Sequence, residues 1–475
     1  MMDRPGAASL FRPLNRWERG GLIILLALFV LHSLFVGHRS LLLSRRLTDL
    51  DAFLRGAWTV RTGGNLYESA DDSGFHYIYP PLLAILLTPF ADPPAGADAA
   101  WRVPFAVSVF LMYAFSVVCA FWASHWLASG LEQCSPIVGR SLRERQATRG
   151  ASRPPCVPPG CWRWWTLRIL PLLLVLPEIF GTLARGQVNL LLLAMLCGAI
   201  GAVLRKRSGL AGAFLSGAIC LKVLPAFLLL YPLWRRDYRL LAGCAMGLIL
   251  GLVVIPTLRG PEWAIAQYQD FAEKVLFPGL GAGTDRTLAR TLTDVTGTDS
   301  QSLMATLHNT LHLDRDTRPN EASAATRAVA LLAGALLTAL TLWSAGWRRK
   351  RSAWVEALFF GQLMLLMVLI SPVCHLAYFV LEMPLIMAVV DKSWIPALTG
   401  GVEARGKVCL LGAFFVAIFV AHTLPHVPGL EVLRDLGLAM YAALLWWAVA
   451  WFIVYKDKRG VRHTECGVEA MRSVA

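Results

Sequence analysis

Long apolar runs, separated by short polar segments, occupy most of the 475-residue chain. A helix needs about 20 apolar residues to cross the roughly 30 Å hydrocarbon core of a bilayer, because backbone polar groups cannot be left unpaired in lipid. The pattern therefore predicts a single all-α, polytopic membrane domain over residues 1–475 with about ten crossings. The predicted crossings lie approximately at 20–37, 103–128, 166–184, 187–204, 239–258, 326–346, 354–371, 376–391, 407–424 and 434–455.

Two further apolar stretches do not fit a simple crossing. Residues 78–90 are short and contain three prolines, which remove amide donors and interrupt helices, so we expect a re-entrant or interfacial segment there. Residues 209–234 have basic clusters at both ends and are interrupted by Lys222 and Pro225. Both basic ends belong on one side of the membrane, which predicts a hairpin of two half-length helices with its tip at Lys222.

The distribution of charge decides between two kinds of partner. The chain is 56% hydrophobic and 16% charged, against about 25% charged residues in a typical soluble protein, with a formal net charge of +14. A soluble multidomain enzyme is therefore excluded, and the excess base lies in loops between apolar runs, as the positive-inside rule requires, so nucleic acid is not an expected partner. Cytoplasmic segments are expected at 1–19, 131–165 and 456–475, and outer loops include 38–77 and 259–325.

Two carboxylates begin a short amphipathic segment in the first outer loop. Asp49 and Asp51 precede an apolar stripe that includes Phe53, Leu54 and Trp58, which predicts a helix lying along the membrane surface. The two acids are about 200° apart around a helix, so they cannot both face one pocket. Taken alone, both could simply be first-turn acids that complement the helix dipole.

An aromatic and proline-rich motif follows at the predicted membrane boundary. Tyr77 and Tyr79 could be interfacial anchors. Pro80 and Pro81 remove two amide donors where a helix would enter the bilayer, which is tolerable only when the backbone is shielded by protein or lines a cavity. These four residues are therefore candidates for shaping a pocket.

Signals for metal or nucleotide binding are weak. Asp71 and Asp72 form a loop pair without a neighbouring histidine, for which solvation is the expected role. The sequence has no glycine-rich phosphate loop of the P-loop or Rossmann kind. We expect no metal and no cofactor, and a membrane-borne donor rather than a nucleotide sugar held on a soluble domain.

Six short motifs occur in order along residues 20–455. They are Gly63-Gly64-Asn65-Leu66-Tyr67, Tyr77 to Leu82, Arg185-Gly186-Gln187-Val188-Asn189, Leu221 to Pro225, Ser300-Gln301-Ser302-Leu303 and Ser371-Pro372-Val373. Together they resemble glycosyltransferase family 87, whose members have the GT-C fold and include polyprenyl-phosphate-mannose-dependent α-1,2-mannosyltransferases. The resemblance implies a GT-C-like helical bundle.

The resemblance also implies a reaction. It places the catalytic base at Asp49, with Asp51 as the alternative. It also implies transfer of a hexose, mannose in the mannosyltransferases of the family, from a polyprenyl phosphate to a lipid or glycan hydroxyl with inversion. One carboxylate suffices, because the phosphate leaves as a stable anion and needs no acid. A paired-carboxylate glycosidase site is not required.

Groups that could bind the donor phosphate or sugar are Lys222, Arg185 and Gln187. Lys222 lies about 13 residues from either basic cluster, roughly 20 Å deep by helical rise, which is too deep for a lysine that only reaches back to the inner surface. An intramembrane lysine is a functional candidate by default. Arg185 could instead be an ordinary outer-surface residue.

Three more donor-binding candidates follow from the resemblance, namely Gln301, Ser302 and His375. Ordinary loop solvation is an alternative for Gln301 and Ser302. The family often has Trp at the position of His375 and histidines two or three residues later, where this chain has Ala377 and Tyr378. A catalytic histidine therefore cannot be carried over directly.

Two other kinds of protein remain open at the level of sequence. Broken helices with a lysine and a proline near mid-membrane also occur in transporters and lipid flippases. A non-catalytic family member is also compatible with the departure after His375. The expected enzyme would lie in a bacterial inner membrane, with cytoplasmic termini, an active site facing the periplasm or exterior, and lipids, the donor and an acceptor as its partners.

Overall fold

The computed structural model describes residues 16–42, 49–94, 96–97, 101–134, 162–279, 288, 295, 300–347, 352–399 and 405–472. The predicted N-terminal segment 1–19, the basic linker 131–165 and the outer loop 259–325 lie partly outside these residues. The described part of the chain is helical, with two isolated β-bridges, Ala70 to His76 and Ser300 to His375. The all-α architecture predicted from the sequence is confirmed.

The α-helices of four or more residues are α1 Arg16–Gly37, α2 Asp49–Thr62, α3 Pro81–Leu86, α4 Phe105–Cys134, α5 Trp162–Leu174, α6 Leu176–Arg185, α7 Asn189–Leu204, α8 Ser208–Leu221, α9 Leu230–Arg235, α10 Tyr238–Arg259, α11 Pro261–Phe271, α12 Leu303–Leu311, α13 Ala324–Ala345, α14 Ala353–Ile370, α15 Met383–Val389, α16 Ile395–Thr399, α17 Arg405–Thr423, α18 Glu431–Asp435 and α19 Leu438–Arg472. Short helical turns occupy His38–Leu42, Leu66–Glu68, Thr88–Phe90, Leu224–Leu229, Ala272–Leu276, Phe277–Gly279, Leu376–Glu382, Val390–Trp394 and Leu424–His426.

Seven helices among the described residues are long and apolar enough to cross a membrane, and an eighth span results if α5 and α6 are counted together. The seven are α1, α4, α10, α13, α14, α17 and α19. Helix α14 is the most enclosed, with 78% of its apolar window buried, whereas the corresponding windows of α1 and α10 are 17% buried. The core therefore surrounds α14, and α1 and α10 present their apolar sides to lipid.

The predicted number of about ten continuous crossings is not confirmed. The run at 166–184 breaks between α5 and α6 with a bend of 60°, and Pro171 lies inside the first half. The run at 376–391 is a 3₁₀ turn, a seven-residue α-helix and a π-helical turn. Hydropathy registers apolar residues without registering where the backbone changes its hydrogen-bonding pattern, which explains both differences.

The predicted hairpin at 209–234 is present. Helix α8 ends at Leu221, Lys222 is extended, and the chain returns through a 3₁₀ turn and α9. The two ends of the hairpin are joined by the Ser208 hydroxyl, which donates to Asp237 at 2.7 Å. In the segment 78–90, α3 is only six residues long and is too short to cross, as expected.

The bundle has two ends. The end that contains Asp49 is called the Asp49 end, and the opposite end, which contains Arg235, is called the Arg235 end. Contacts at the Asp49 end join residues 64–66 to α11, and join residues 300–302 to 372–374 and Arg434. Contacts at the Arg235 end include the ion pairs Arg235–Glu356, Arg163–Asp391 and Arg168–Glu132. The candidate site residues all belong to the Asp49 end.

Candidate active site

Asp49 is the first residue of α2 and lies against the turn that follows α6. Its carboxylate accepts a hydrogen bond from the Gln187 side chain, and the positive charges of Arg185 and Lys222 act on it. Taken as a whole residue, Asp49 is partly exposed. Burial of the carboxylate raises its pKa, and these favourable contacts offset only part of that effect. Asp49 is thus a carboxylate of increased basicity.

Gly186 makes the close approach of α2 and α6 possible. It ends α6 in the left-handed conformation, with φ of 64°, and a Cβ at this position would lie 2.7 Å from the Leu50 Cβ. A residue with a side chain would therefore be both strained and obstructed. The glycine brings Gln187 next to Asp49.

A line of polar side chains leads from Asp49 to Lys222. Asn189 donates to the Gln187 side-chain oxygen at 2.6 Å, and the Lys222 ammonium is 3.5 Å from the Asn189 side-chain oxygen. Gln187 and Asn189 are almost fully buried. Asn189 is not among the site residues predicted from the sequence, although it belongs to the 185–189 motif that marks this site.

The Lys222 ammonium also lies against two tyrosine rings. It is 3.8 Å from the ring centroid of Tyr378 and 5.4 Å from that of Tyr79, and the two tyrosine hydroxyls are hydrogen-bonded. Cation–π contacts of this kind hold a cation without neutralising it. At the level of sequence, Tyr378 is only a departure from the family pattern. In the structure it holds Lys222 beside Asp49, Gln187 and Asn189, which are called the Asp49 group below.

The Tyr77 to Pro81 motif forms a wall of the same region. Pro81 begins α3, and the Tyr77 hydroxyl donates to the Pro80 carbonyl at 2.8 Å and accepts from the Ala84 amide at 3.1 Å. Tyr79 packs against Phe53 of α2, with ring centroids 4.9 Å apart. Tyr77 thus supplies the polar partner that lets a proline-rich backbone start a helix here.

Asp51 has a different environment from Asp49. Its side chain is 0% exposed, on the opposite face of α2 as the helical spacing predicts. A base must come within hydrogen-bonding distance of a substrate hydroxyl. The partly exposed Asp49 meets that condition better than the enclosed Asp51.

Two arginines lie beside the Asp49 group. Arg185 is the last residue of α6, and its charge acts on both Asp49 and Arg39. Arg39 follows the first apolar run and donates to the Ala184 carbonyl. Arg39 is not among the site residues predicted from the sequence; its position directly after the first apolar run is the signal that marks it.

Three predicted donor-binding residues lie in two segments that contact each other. They are Gln301, Ser302 and His375. The backbone amide of Gln301 donates to the Cys374 carbonyl at 2.6 Å, and the Gln301 side chain donates to the Arg434 carbonyl at 2.6 Å. The Ser302 hydroxyl donates to the Pro372 carbonyl at 3.0 Å and caps α12.

His375 forms the link to the site. Its ring is 5.6 Å from that of Tyr378, edge to face, and Ser300 forms a β-bridge with it. No contact within the described residues brings Gln301 or Ser302 to Asp49 or Lys222. Their predicted roles in binding the donor stay predictions.

The chemistry available at this site comes from the Asp49 carboxylate and nearby cations. Within the described ranges, no group of three or more His, Cys, Asp or Glu side chains is arranged to hold a metal ion. Asp71 influences Asp49 electrostatically, but its Oδ1 is engaged by the backbone amides of Ser73 and Phe75.

The sequence profile of glycosyltransferase family 87 matches residues 77–372, more than half of the chain. The chain belongs to glycosyltransferase family 87. It is accordingly a multi-pass membrane glycosyltransferase by family and architecture. The matched range includes Tyr77, Lys222 and Gln301 and begins after Asp49, so the role of Asp49 depends on the geometry described above.

A search of solved structures finds similarity to ArnT from Cupriavidus metallidurans bound to undecaprenyl phosphate. The two share 15% sequence identity, the alignment covers 90% of this chain and 76% of that chain, and the TM-score is 0.34. A similarity at this level carries no conclusion about the site. A search of curated protein sequences gives no match.

Proposed function

We propose that this family 87 protein transfers a hexose, mannose by resemblance, from a polyprenyl-phosphate donor to a hydroxyl of a lipid or glycan acceptor, with inversion at the anomeric carbon. Asp49 is the general base. Lys222 and Arg185, with Gln187 and His375 nearby, bind the donor phosphate or sugar.

The observation that carries the proposal is a carboxylate, Asp49, that is joined through Gln187 and Asn189 to Lys222 and that also experiences the charge of Arg185. As the acceptor oxygen bonds to the anomeric carbon, its proton passes to Asp49 and the bond from that carbon to the phosphate oxygen breaks. The electron pair leaves with the polyprenyl phosphate, whose growing negative charge is stabilised by Lys222 and Arg185. No proton donor is needed for such a leaving group.

A single displacement, and therefore inversion, agrees with the number of carboxylates. A retaining mechanism needs a second carboxylate as nucleophile. Asp51 is enclosed within the protein, and Asp71 is held in a turn by backbone amides. Neither is presented for covalent attack on a sugar.

The location of the site favours a membrane-borne donor. The Asp49 group lies at the end of apolar helices, beside the short α3. We further propose that this end faces the periplasm or cell exterior of a bacterial inner membrane, because the basic loops at 205–207 and 235–236 belong to the opposite end.

The test is transfer of radiolabelled mannose from polyprenyl-phosphate mannose by the protein in lipid nanodiscs supplied with a lipid extract of the source cells. We expect Asp49→Asn and Asp49→Ala to lose about 10²- to 10⁴-fold in activity, the usual contribution of a general base. Asp51→Asn should stay near the native rate.

Activity that survives in both Asp49 variants and is lost in Asp51→Asn would move the base to Asp51. Absence of transfer by the native protein, accompanied by movement of the labelled lipid between leaflets, would instead identify a flippase. Absence of both would identify a non-catalytic family member.

A further inference from the structure

Three ionisable side chains that the proposed reaction does not use are buried together near the Asp49 end. They are Glu178 of α6, His422 of α17 and Glu382 of the turn Leu376–Glu382, each at most 2% exposed. The His422 Nδ1 is 2.8 Å from a Glu178 carboxylate oxygen, and its Nε2 is 3.6 Å from a Glu382 carboxylate oxygen. One imidazole thus bridges two elements that are far apart in the sequence.

The 376–382 turn faces the active site on one side and this cluster on the other. In a 3₁₀ helix, side chains three residues apart eclipse one another, so Phe379 and Glu382 share a face. That face meets His422, since the Phe379 and His422 rings are 5.4 Å apart, edge to face. Tyr378, the residue before Phe379, points its ring at Lys222.

Helix α6, like the 376–382 turn, contacts both the cluster and the active site. Glu178, Thr182 and Arg185 recur at helical spacing and lie along one face of it. Glu178 meets His422, the Thr182 hydroxyl donates to the Ala377 carbonyl at 3.2 Å, and Arg185 acts on Asp49. A sliding or rotation of α6 against the 376–382 turn would therefore separate Arg185 and Gln187 from Lys222.

We propose that the Glu178–His422–Glu382 cluster is a positioning device that fixes the register of α6 against the 376–382 turn. It thereby sets the spacing between the Asp49–Gln187 group and the Lys222–Tyr378 group. The effect of the cluster on sugar transfer rests on the proposed function. Its effect on the register of α6 against the turn does not. His422 is within reach of both carboxylates only when α6 and the turn are in one register, whereas apolar packing between two helical segments would leave them free to slide.

The Arg168–Glu132 pair is a matched control at the other end of the bundle. It joins α5 to α4, its two side chains are 7% and 8% exposed, and its contacts of 2.7 and 2.9 Å are bidentate. Glu132→Gln should disturb a buried ionic contact without moving α6 against the turn. It separates general destabilisation from loss of register.

The first readout is independent of activity. A Cβ at Gly181 of α6 would lie 3.8 Å from the Ala377 Cβ, the mean separation in a disulfide. We expect Gly181→Cys with Ala377→Cys to cross-link rapidly with copper phenanthroline in nanodiscs, as identified by peptide mass spectrometry. The rate should be unchanged with Glu132→Gln and should fall about tenfold with His422→Phe, which keeps a ring beside Phe379 but removes both nitrogens.

The second readout is the split between kcat and KM in the mannose-transfer assay. A displacement of about 1 Å costs on the order of 10²-fold in rate, so His422→Phe should lose about that much in kcat with little change in KM. Glu178→Gln, which keeps the shape and hydrogen-bonding capacity of the glutamate, should stay within about threefold of native. Formation of the 181–377 disulfide should restore much of the kcat of His422→Phe.

The triple variant Glu178→Leu, His422→Phe, Glu382→Leu covers the case in which His422→Phe does not fold. Apolar replacement of a buried ionic group often preserves stability. A native Tm with slow cross-linking supports the proposal, whereas a native Tm with a native cross-linking rate and kcat overturns it. If the native protein shows no transfer with any acceptor, the cross-linking rates decide the proposal and the proposed function fails separately.

Discussion

Asp49 and Lys222 carry opposite charges at one site, yet they are joined through neutral side chains. Gln187 donates to Asp49, Asn189 donates to Gln187, and Lys222 lies beside Asn189 and the Tyr378 ring. A direct ion pair would lower the pKa of the carboxylate and occupy the ammonium. The intervening amides leave the carboxylate basic and the ammonium available to a phosphate.

The acid side of the pH–rate profile should report Asp49. The base acts only when ionised, and burial raises its pKa, so kcat/KM should decline as the pH falls through a range above that of an ordinary aspartate. Gln187→Leu removes a hydrogen bond that favours the ionised form, which raises the pKa further. The acid limb of Gln187→Leu should therefore move to higher pH.

The measurement is kcat/KM for mannose transfer across the acidic range in both proteins. Glu132→Gln serves as the control, since it alters a buried carboxylate far from the site and should leave the limb in place. An acid limb that does not move in Gln187→Leu would contradict the assignment of Asp49 as the titrating base.

At the scale of elements, the site depends on how closely the start of α2 approaches the end of α6. Gly186 lets these elements meet, because its φ of 64° continues the chain out of α6 and its missing Cβ leaves room for Leu50. The polar residues on either side, Arg185 and Gln187, are thereby directed to Asp49.

Gly186→Ala should impair both stability and transfer. A left-handed alanine costs about 1–2 kcal/mol, and contact with Leu50 adds to this by pushing α2 away. Gly429→Ala is the matched control, since φ is 86° there and a Cβ would meet nothing within 4 Å. We expect both variants to lower the Tm, measured in detergent, and only Gly186→Ala to reduce kcat by about tenfold or more. Equal loss of kcat in both would show that the approach of α2 is not critical.

Local patterns were sufficient to predict several of these elements. The hairpin tip at Lys222 follows from basic residues at both ends and an internal proline, and α2 follows from its apolar spacing. The contact of Tyr378 with Lys222 and the position of His422 between two glutamates arise because segments distant in sequence meet in the fold. A single sequence does not show which segments meet. The bent pair α5–α6 was missed because hydropathy averages over a local change in backbone direction.

At the scale of the whole molecule, the two ends differ in how many basic residues their short loops carry. The clusters Arg205-Lys206-Arg207 and Arg235-Arg236 both lie at the Arg235 end. At the Arg235 end, basic side chains lie over aromatic rings, as in Arg205 over Trp126, Arg236 over Trp347 and Lys392 over Trp354. Such pairs are typical of a membrane boundary, where long basic side chains extend to the headgroups. At the Asp49 end, the turn between α6 and α7 carries Arg185 as its one basic residue, and Arg55 and Arg318 are paired with Asp72 and Asp435.

This asymmetry predicts which end faces the cell exterior. Basic residues concentrated in short loops are retained in the cytoplasm, so the Arg235 end should be inside and the Asp49 end outside. Ser73→Cys marks the Asp49 end, and Gly406→Cys marks the start of α17 at the other end; both positions are exposed. A membrane-impermeant maleimide should label Ser73→Cys in intact cells and Gly406→Cys only after lysis, with the native protein measuring background from its own cysteines. Labelling of Gly406→Cys in intact cells would reverse the orientation, and the reaction would then require a donor displayed on the cytoplasmic leaflet.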